Sequence, residues 1–143
     1  MIFSFKKFRK IIFGVNEVGA ADFLVNKLIP YIEHSNFLIF AEKKSHKLLR
    51  KFNYKFFDSN IIDSDMENLI GEFNPDLIVT GASIGLNIEK KLIIYAKRLG
   101  IKSYSFIDAN VNLWQRFILD KPEFKWSIVP SNILVDELST KKR

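Results

Sequence analysis

The chain of 143 residues has no cysteine, only two histidines and only six glycines. Without thiols it can form neither disulfides nor thiolate metal sites. His34 and His46 have no second histidine or carboxylate at ligand spacing, so we expect no metal centre and no bound cofactor. The glycines form neither G-x-G-x-x-G nor a P-loop, which argues against the usual NAD site and excludes P-loop ATP hydrolysis.

Long apolar runs are also lacking. No run approaches the roughly 20 residues that span a bilayer, and no apolar segment before a small-residue cleavage site resembles a secretory signal. Together with the missing cysteines, these absences favour a cytoplasmic location.

Positive charge and aromatic residues are plentiful. The net charge is +6, and fourteen phenylalanines within a 48% hydrophobic composition supply one ordinary core. Cations cluster in Met1–Lys10, among three phenylalanines, and in the last three residues, 141–143. Basic terminal segments of this kind either solubilise a protein or attach it peripherally to an anionic membrane surface. For this chain the surface would be the inner face of the membrane. We do not expect nucleic-acid binding, because no recognised module is visible and the internal charges are mixed.

Apolar periodicity predicts strands alternating with helices. The predicted strands are Lys10–Val15, Asn36–Ala41, Tyr54–Phe57, Asp76–Thr80, Ile101–Ile107 and Ser127–Val135. A first helix is expected to run to about His34, with Pro30 kinking or shortening its last turn, and a second over Lys43–Phe52. A third is expected from a capping box at Ser64 to Phe73, and a fourth between a cap at Asn87 and a stop at Gly100.

This alternation predicts an α/β fold. We expect a single three-layer, Rossmann-like domain, with a parallel sheet and helices on both faces. It should occupy residues 10–137, between a basic aromatic lead (1–9) and a basic tail (138–143).

Two loops at the carboxyl ends of predicted strands are candidate ligand sites. Asn16 and Gly19 lie between the first strand and first helix, where backbone N–H groups suit a phosphate or a sugar hydroxyl. Gly81, Ser83 and Gly85 follow the fourth strand, where the glycines allow close backbone approach and the serine offers a hydroxyl. Either loop is equally compatible with a tight turn that binds nothing.

The segment G-A-S-I-G around Ser83 superficially matches the nucleophile elbow of α/β-hydrolases. Both histidines precede Ser83 in the sequence, whereas the hydrolase order places the catalytic histidine last. We therefore reject a hydrolase.

A third candidate follows the fifth strand. Asp108 stands where a general base or a hydroxyl-binding carboxylate would be useful. Asn112 and Arg116 are four residues apart, so on a helix they would share a face and reach one anionic or polyhydroxyl ligand. The alternative is a capping aspartate, a solvated asparagine and a surface ion pair.

Residues 74–117 also resemble a segment of bacterial surface-polysaccharide proteins with the glycosyltransferase GT-B architecture. The shared pattern is a strand ending in T-G-x-S, a helix bearing E-K, the sequence A-K-x-x-G-I-x-S, a strand ending in Asp, and N-x-x-x-R-F. The matching residues are Thr80, Gly81, Ser83, Glu89, Lys90, Ala96, Lys97, Gly100, Ile101, Ser103, Asp108, Asn112, Arg116 and Phe117. Where that family shows a His or aromatic pair after the Asp, this chain has Ala109 and Asn110.

The resemblance implies the N-terminal, acceptor-side half of such a protein. GT-B enzymes have two Rossmann-like domains, and the nucleotide-sugar binds mainly to the other one. We therefore expect a companion donor-binding domain or subunit, through which a nucleotide-sugar would enter a pathway of polysaccharide or glycoconjugate synthesis. The sequence leaves open a second function, a non-catalytic Rossmann-like module that binds a nucleotide or phosphate.

Overall fold

The structure is a computed structural model and describes residues 7–32, 36–107 and 132–135. Its centre is a six-stranded sheet in the order β3-β2-β1-β4-β5-β6, with every neighbouring pair parallel. The strands are β1 (Lys10–Val15), β2 (Asn36–Ala41), β3 (Phe57–Asp58), β4 (Leu77–Thr80), β5 (Lys102–Ile107) and β6 (Asn132–Val135).

Helices connect the strands. They are α1 (Val18–Phe23), α2 (Lys43–Lys51), α3 (Asp63–Phe73) and α4 (Ile88–Leu99). After α1 the chain continues through a π-helical turn (Leu24–Leu28) and a 3₁₀ turn (Ile29–Tyr31). Within the described ranges, no helix has the length and apolarity needed to cross a membrane.

Successive side chains of each strand point to opposite faces of the sheet, so the apolar residues form two cores, one on each face. On one face, Phe13 and Val79 pack with Leu24 of the first connection and Leu49 of α2. On the other face, Ile12 and Ile78 pack with Ile70 of α3 and Leu92 of α4. The predicted fold, a Rossmann-like sheet covered on both faces, is therefore confirmed.

The order of the strands creates a switch point between β1 and β4. From β1 the chain moves to β2 and β3 on one side, then crosses back to β4 and continues to β5 on the other. In such sheets the connections leave the two central strands in opposite directions, which opens a crevice at their carboxyl ends.

Most predicted elements are confirmed, including β1 and β2 at their predicted ends. The first helix ends at Tyr31 as a 3₁₀ turn because Pro30 has no N–H to donate. β3 is Phe57–Asp58, displaced from the predicted Tyr54–Phe57.

The predicted capping box at Ser64 is wrong. Helix α3 begins at Asp63, after Ile62, and no side chain caps it. The serine therefore lies inside the first turn, and the sequence match to a capping box had no structural counterpart. The Asn87 cap and the left-handed Gly100 stop of α4 are both confirmed.

Candidate functional site

A polar cluster lies at the carboxyl ends of β1 and β4, at the switch point of the sheet. Asn16 follows β1, while Ser83 and Asn87 belong to the loop between β4 and α4. Glu89 and Lys90 come from the first turn of α4. We call these five residues the polar clamp, because their hydrogen bonds join the two loops.

Glu89 is the centre of the clamp, and its side chain is 0% exposed. One carboxylate oxygen accepts hydrogen bonds from the backbone N–H and the hydroxyl of Ser83, at 2.8 and 2.6 Å. The other accepts from the backbone N–H of Asn16 at 3.1 Å. A buried carboxylate thus holds the loops of two adjacent strands together.

The Ser83 hydroxyl uses its full hydrogen-bonding capacity inside the clamp. It donates to Glu89 and accepts from the side-chain amides of Asn16, at 2.9 Å, and Asn87, at 2.8 Å. A hydroxyl has one donor and two acceptor positions, and all three are occupied. The side chain therefore fixes the shape of the loop more readily than it supplies a nucleophile.

Burial dominates the electrostatics of the clamp. Desolvation raises the pKa of Glu89 above its ordinary value, although hydrogen bonds from Ser83 and Asn16 and the nearby Lys90 charge oppose the rise. Lys90 is itself only 1% exposed, and its ammonium donates to the Ser83 carbonyl. Both charged residues therefore act on the same short loop.

Two glycines make room for this arrangement. A Cβ at Gly81 would collide with the Glu89 carboxylate and lie 2.9 Å from Ala20 Cβ. A Cβ at Gly14, at the end of β1, would collide with the Leu92 side chain of α4. The Gly81 N–H donates to the Gly14 carbonyl at 3.0 Å, so the two strand ends lie directly against each other.

Residues from the neighbouring connection support the clamp. The buried hydroxyl of Ser45, on α2, donates to the carbonyls of Asn16 and Glu17 at 2.8 and 3.2 Å. Glu42, after β2, accepts from the Ile88 N–H at the start of α4, at 2.7 Å, and from the Ser59 hydroxyl. The loops after β1, β2, β3 and β4 thus form one bonded unit.

The surface in front of the clamp is partly apolar. Ile84 and Leu86 flank Gly85 and are 53% and 60% exposed, and Val18 of α1 is half exposed. Gly85 has a φ of +94°, a left-handed conformation that glycine adopts without strain. A ligand at this edge would meet these exposed loops, with the clamp behind them.

The structure brings together some of the predicted site residues. Asn16 and Ser83 are hydrogen-bonded, and Gly81 lies against the carboxylate that joins them. Gly19 and Gly85 lie on the accessible side of the same edge. Asp108, Asn112 and Arg116 lie outside the described residues, and ligand binding by any of these positions stays a prediction.

Sequence reasoning did not assign a site role to Glu89, Lys90 or Ser45. The E-K pair was noted only as part of the family resemblance. A helical pattern treats a polar residue in a first turn as solvent-facing, and only the packing of α4 against the loop after β1 buries it. The small residues at 81–83 are the one sequence signal that something approaches this loop closely. The described ranges contain no cluster of three or more His, Asp or Glu placed to hold a metal.

No protein-family profile matches the chain, and no curated protein is significantly similar to it in sequence. Among solved structures, it is similar to UDP-GlcNAc 2-epimerase from Neisseria meningitidis bound to UDP-GlcNAc. The TM-score is 0.55 at 13% identity, covering 73% of this chain and 34% of the epimerase. The likeness is one of fold. The chain spans about one third of the epimerase's length.

Proposed function

We propose that the chain is the acceptor-side half of a glycosyltransferase-like protein in bacterial polysaccharide or glycoconjugate synthesis, acting with a donor-binding partner. The observation that carries this proposal is the polar clamp at the switch point. Open α/β sheets bind their ligands outside the carboxyl ends of the strands at this point. Here a buried carboxylate that accepts three hydrogen bonds shapes the two loops that a ligand would touch.

The comparison supports the chemical class. The similar epimerase is an enzyme of a UDP-sugar and was crystallised with UDP-GlcNAc, and this chain corresponds to about one third of it. The GT-B resemblance of residues 74–117 implies an acceptor side in this half and a donor site in another, and so supports the proposal. The exposed Ile84 and Leu86 beside the clamp support a companion at the same edge, because neighbouring apolar side chains on a surface favour a protein contact.

The test combines this chain with the protein encoded next to it. Each protein alone and the mixture would be titrated with UDP-sugars by calorimetry, and release of UDP would be followed with a membrane extract as acceptor. We expect binding and UDP release only from the mixture. A mixture that neither binds a sugar nucleotide nor releases UDP would contradict the proposal.

A matched pair of variants connects the activity to the clamp. Asn16→Ala removes the amide that bonds Ser83, whereas Asn26→Ala removes an exposed amide bonded only to Asp22, one turn earlier on its helix. We expect the first to lower UDP release by the mixture and the second to leave it unchanged.

A second candidate is a non-catalytic binding module, and one observation favours it. The Ser83 hydroxyl has no position left for a ligand, and the described Glu89 contacts are all internal. For such a module, Asn16→Ala would weaken binding of a mononucleotide or phosphate by the chain alone, with no UDP release under any condition. Calorimetry with UDP and with inorganic phosphate separates the two functions.

A further inference from the structure

We propose that the edge of the sheet opposite the polar clamp docks on an anionic lipid surface. We call it the amino edge: the starts of the strands together with the ends of the helices that run back to them. The two edges are distinct because every strand of the sheet is parallel to its neighbours. This inference is independent of the proposed function.

Cations collect where the chain enters the sheet. Lys7, Arg9 and Lys10 are exposed at the start of β1. Asp76, before β4, has its carboxylate engaged by the backbone N–H groups of Arg9 and Lys10, at 2.9 and 3.0 Å. The Asp76 acceptors therefore face the main chain. The three cationic residues stay exposed, with the Lys10 ammonium 5.9 Å from the centroid of the Phe73 ring.

Further cations come from helix ends. Arg50 and Lys51 close α2, and Lys97 and Arg98 close α4; all four are exposed, and Arg98 forms an ion pair with Glu67 at 3.4 Å. Cations are favoured there by the negative end of the helix dipole. Lys102, exposed at the start of β5, extends the same row.

Exposed apolar and aromatic side chains lie among these charges. Tyr31 ends the connection after α1, Phe52 follows α2, and Leu99 ends α4, and all three are exposed. Phe37, the second residue of β2, packs on Tyr54 after α2, with ring centroids 6.4 Å apart, so the chain after α2 lies beside the start of β2. Interspersed cations and large apolar side chains suit a headgroup layer over acyl chains.

A cavity of about 350 Å³ opens at this edge. Lys7, Phe8 and Lys102 line it, together with Asp76 and the turn at Gly100. Two lysines at its rim offer positive charge to a phosphate headgroup.

The opposite edge has another character. Glu17, Glu42 and Glu89 lie there beside the amides of the clamp, and α3 begins there with Asp63 and Asp65. Lys43 and Lys44, at the start of α2, also lie there, so the fold separates a basic, apolar edge from one of mixed charge. Charge complementarity assigns the anionic surface to the amino edge.

The first experiment measures partition of the full chain between buffer and sedimented vesicles. We expect binding to phosphatidylcholine vesicles that contain phosphatidylglycerol, little binding to phosphatidylcholine alone, and release at high salt. The double variant Lys97→Glu with Lys102→Glu should lower the partition coefficient by about tenfold or more. The matched control, Lys43→Glu with Lys47→Glu, makes the same charge change near the start of α2 and should lower it far less.

The second experiment reports orientation and uses the absence of cysteine. A dye sensitive to polarity would be attached at Phe52→Cys or at Lys43→Cys, the two ends of α2, which lie about 13 Å apart along the helix. Vesicles should raise and blue-shift the emission of the dye at position 52 and leave position 43 unchanged. A response at position 43 alone, or at neither position in vesicle-bound protein, would overturn the proposal.

Two other outcomes would also overturn it. If neither vesicle composition binds the chain, the basic edge is a solubilising surface. If single-stranded RNA binds more tightly than the anionic vesicles, and Lys97→Glu with Lys102→Glu abolishes only that binding, the edge is a nucleic-acid surface.

Discussion

Gly81 shows how a single missing side chain organises the clamp. Its neighbours are the Glu89 carboxylate and the Ala20 methyl group, which come from opposite faces of the sheet. The carboxylate reaches the N–H groups of Asn16 and Ser83 through the space that a larger residue would fill. The glycine is required by packing at this position.

We therefore predict that Gly81→Ala lowers the free energy of unfolding by about 1–3 kcal/mol, because the added methyl group overpacks a closed site. Gly71→Ala is the matched control. That glycine is exposed in helix α3 with open space around its Cβ position, so alanine should add about 0.5–1 kcal/mol. Urea denaturation of the two variants measures both changes, and equal effects would contradict the packing argument.

Glu89 predicts a pH dependence. Its pKa is raised above the ordinary 4.5 in the folded protein, chiefly by desolvation, so the folded chain holds this proton more tightly than the unfolded chain. Ionisation of Glu89 therefore lowers the free energy of unfolding. This loss is absent below the ordinary pKa, grows as pH rises, and reaches its full size above the pKa of the folded protein.

The test is urea denaturation of the wild type and Glu89→Gln across this range. The wild-type free energy of unfolding minus that of the variant should fall as pH rises from about 4, because only the wild type ionises at this position. A difference that rises with pH would mean that the hydrogen bonds from Ser83 and Asn16 outweigh desolvation.

The same residue shows where prediction from sequence ends. Asn16 and Ser83 are predictable site residues because each follows a strand, and parallel strands bring their carboxyl ends to one edge. Glu89 is not predictable in this way, because helical spacing gives no information about contacts across the sheet. Glu89 is buried by a tertiary contact with Asn16, which lies 73 residues away in the sequence, and no local pattern encodes such a contact.

At the scale of the element, helix α4 is capped at both ends. The Asn87 side chain accepts from the Glu89 N–H at 3.0 Å, Glu42 accepts from the Ile88 N–H, and Gly100 ends the helix in a left-handed conformation. The Asn87 amide also donates to Ser83 and to the Gly85 carbonyl. One residue therefore connects the start of the helix to the clamp.

Asn87→Ala should lower the free energy of unfolding by about 1–2 kcal/mol, through loss of the cap and of the amide contacts. Asn87→Asp keeps an acceptor for the cap and removes the donor, so it separates the two contributions. Asn26→Ala, at an exposed position with only local bonds, should change stability little. Thermal denaturation followed by circular dichroism gives the order of the variants.

Element type was predictable, whereas some boundaries were not. The runs of β1 and β2 are bounded by charged and polar residues, and the structure keeps those limits. Ser64 matched a capping pattern, but α3 begins at Asp63, with Ile62 in an extended conformation at the N-cap position. The π-helical turn at Leu24–Leu28 has the same apolar residues as an α-helix and leaves no trace in the periodicity.

At the scale of the molecule, stability should be graded across the sheet. β1 pairs with β2 over six residues and with β4 over four, whereas β3 pairs with β2 over two. We predict that amide protons of β1 and β4 exchange slowest with solvent and those of β3 among the fastest of the described strands. Hydrogen exchange read by NMR tests this, and early exchange of β1 would contradict the sheet order.

Because the strands are parallel, their length sets the distance between the amino edge and the polar clamp. β1 has six residues, which at roughly 3.3 Å each separate the two edges by about 20 Å. With the amino edge on a bilayer, the polar clamp would stand about that far above the headgroups. A lipid-borne acceptor would have to extend through several sugar or phosphate units to reach it, whereas a soluble acceptor would meet no such threshold. If both proposals hold, the distance between the two edges sets a minimum length for a membrane-anchored acceptor.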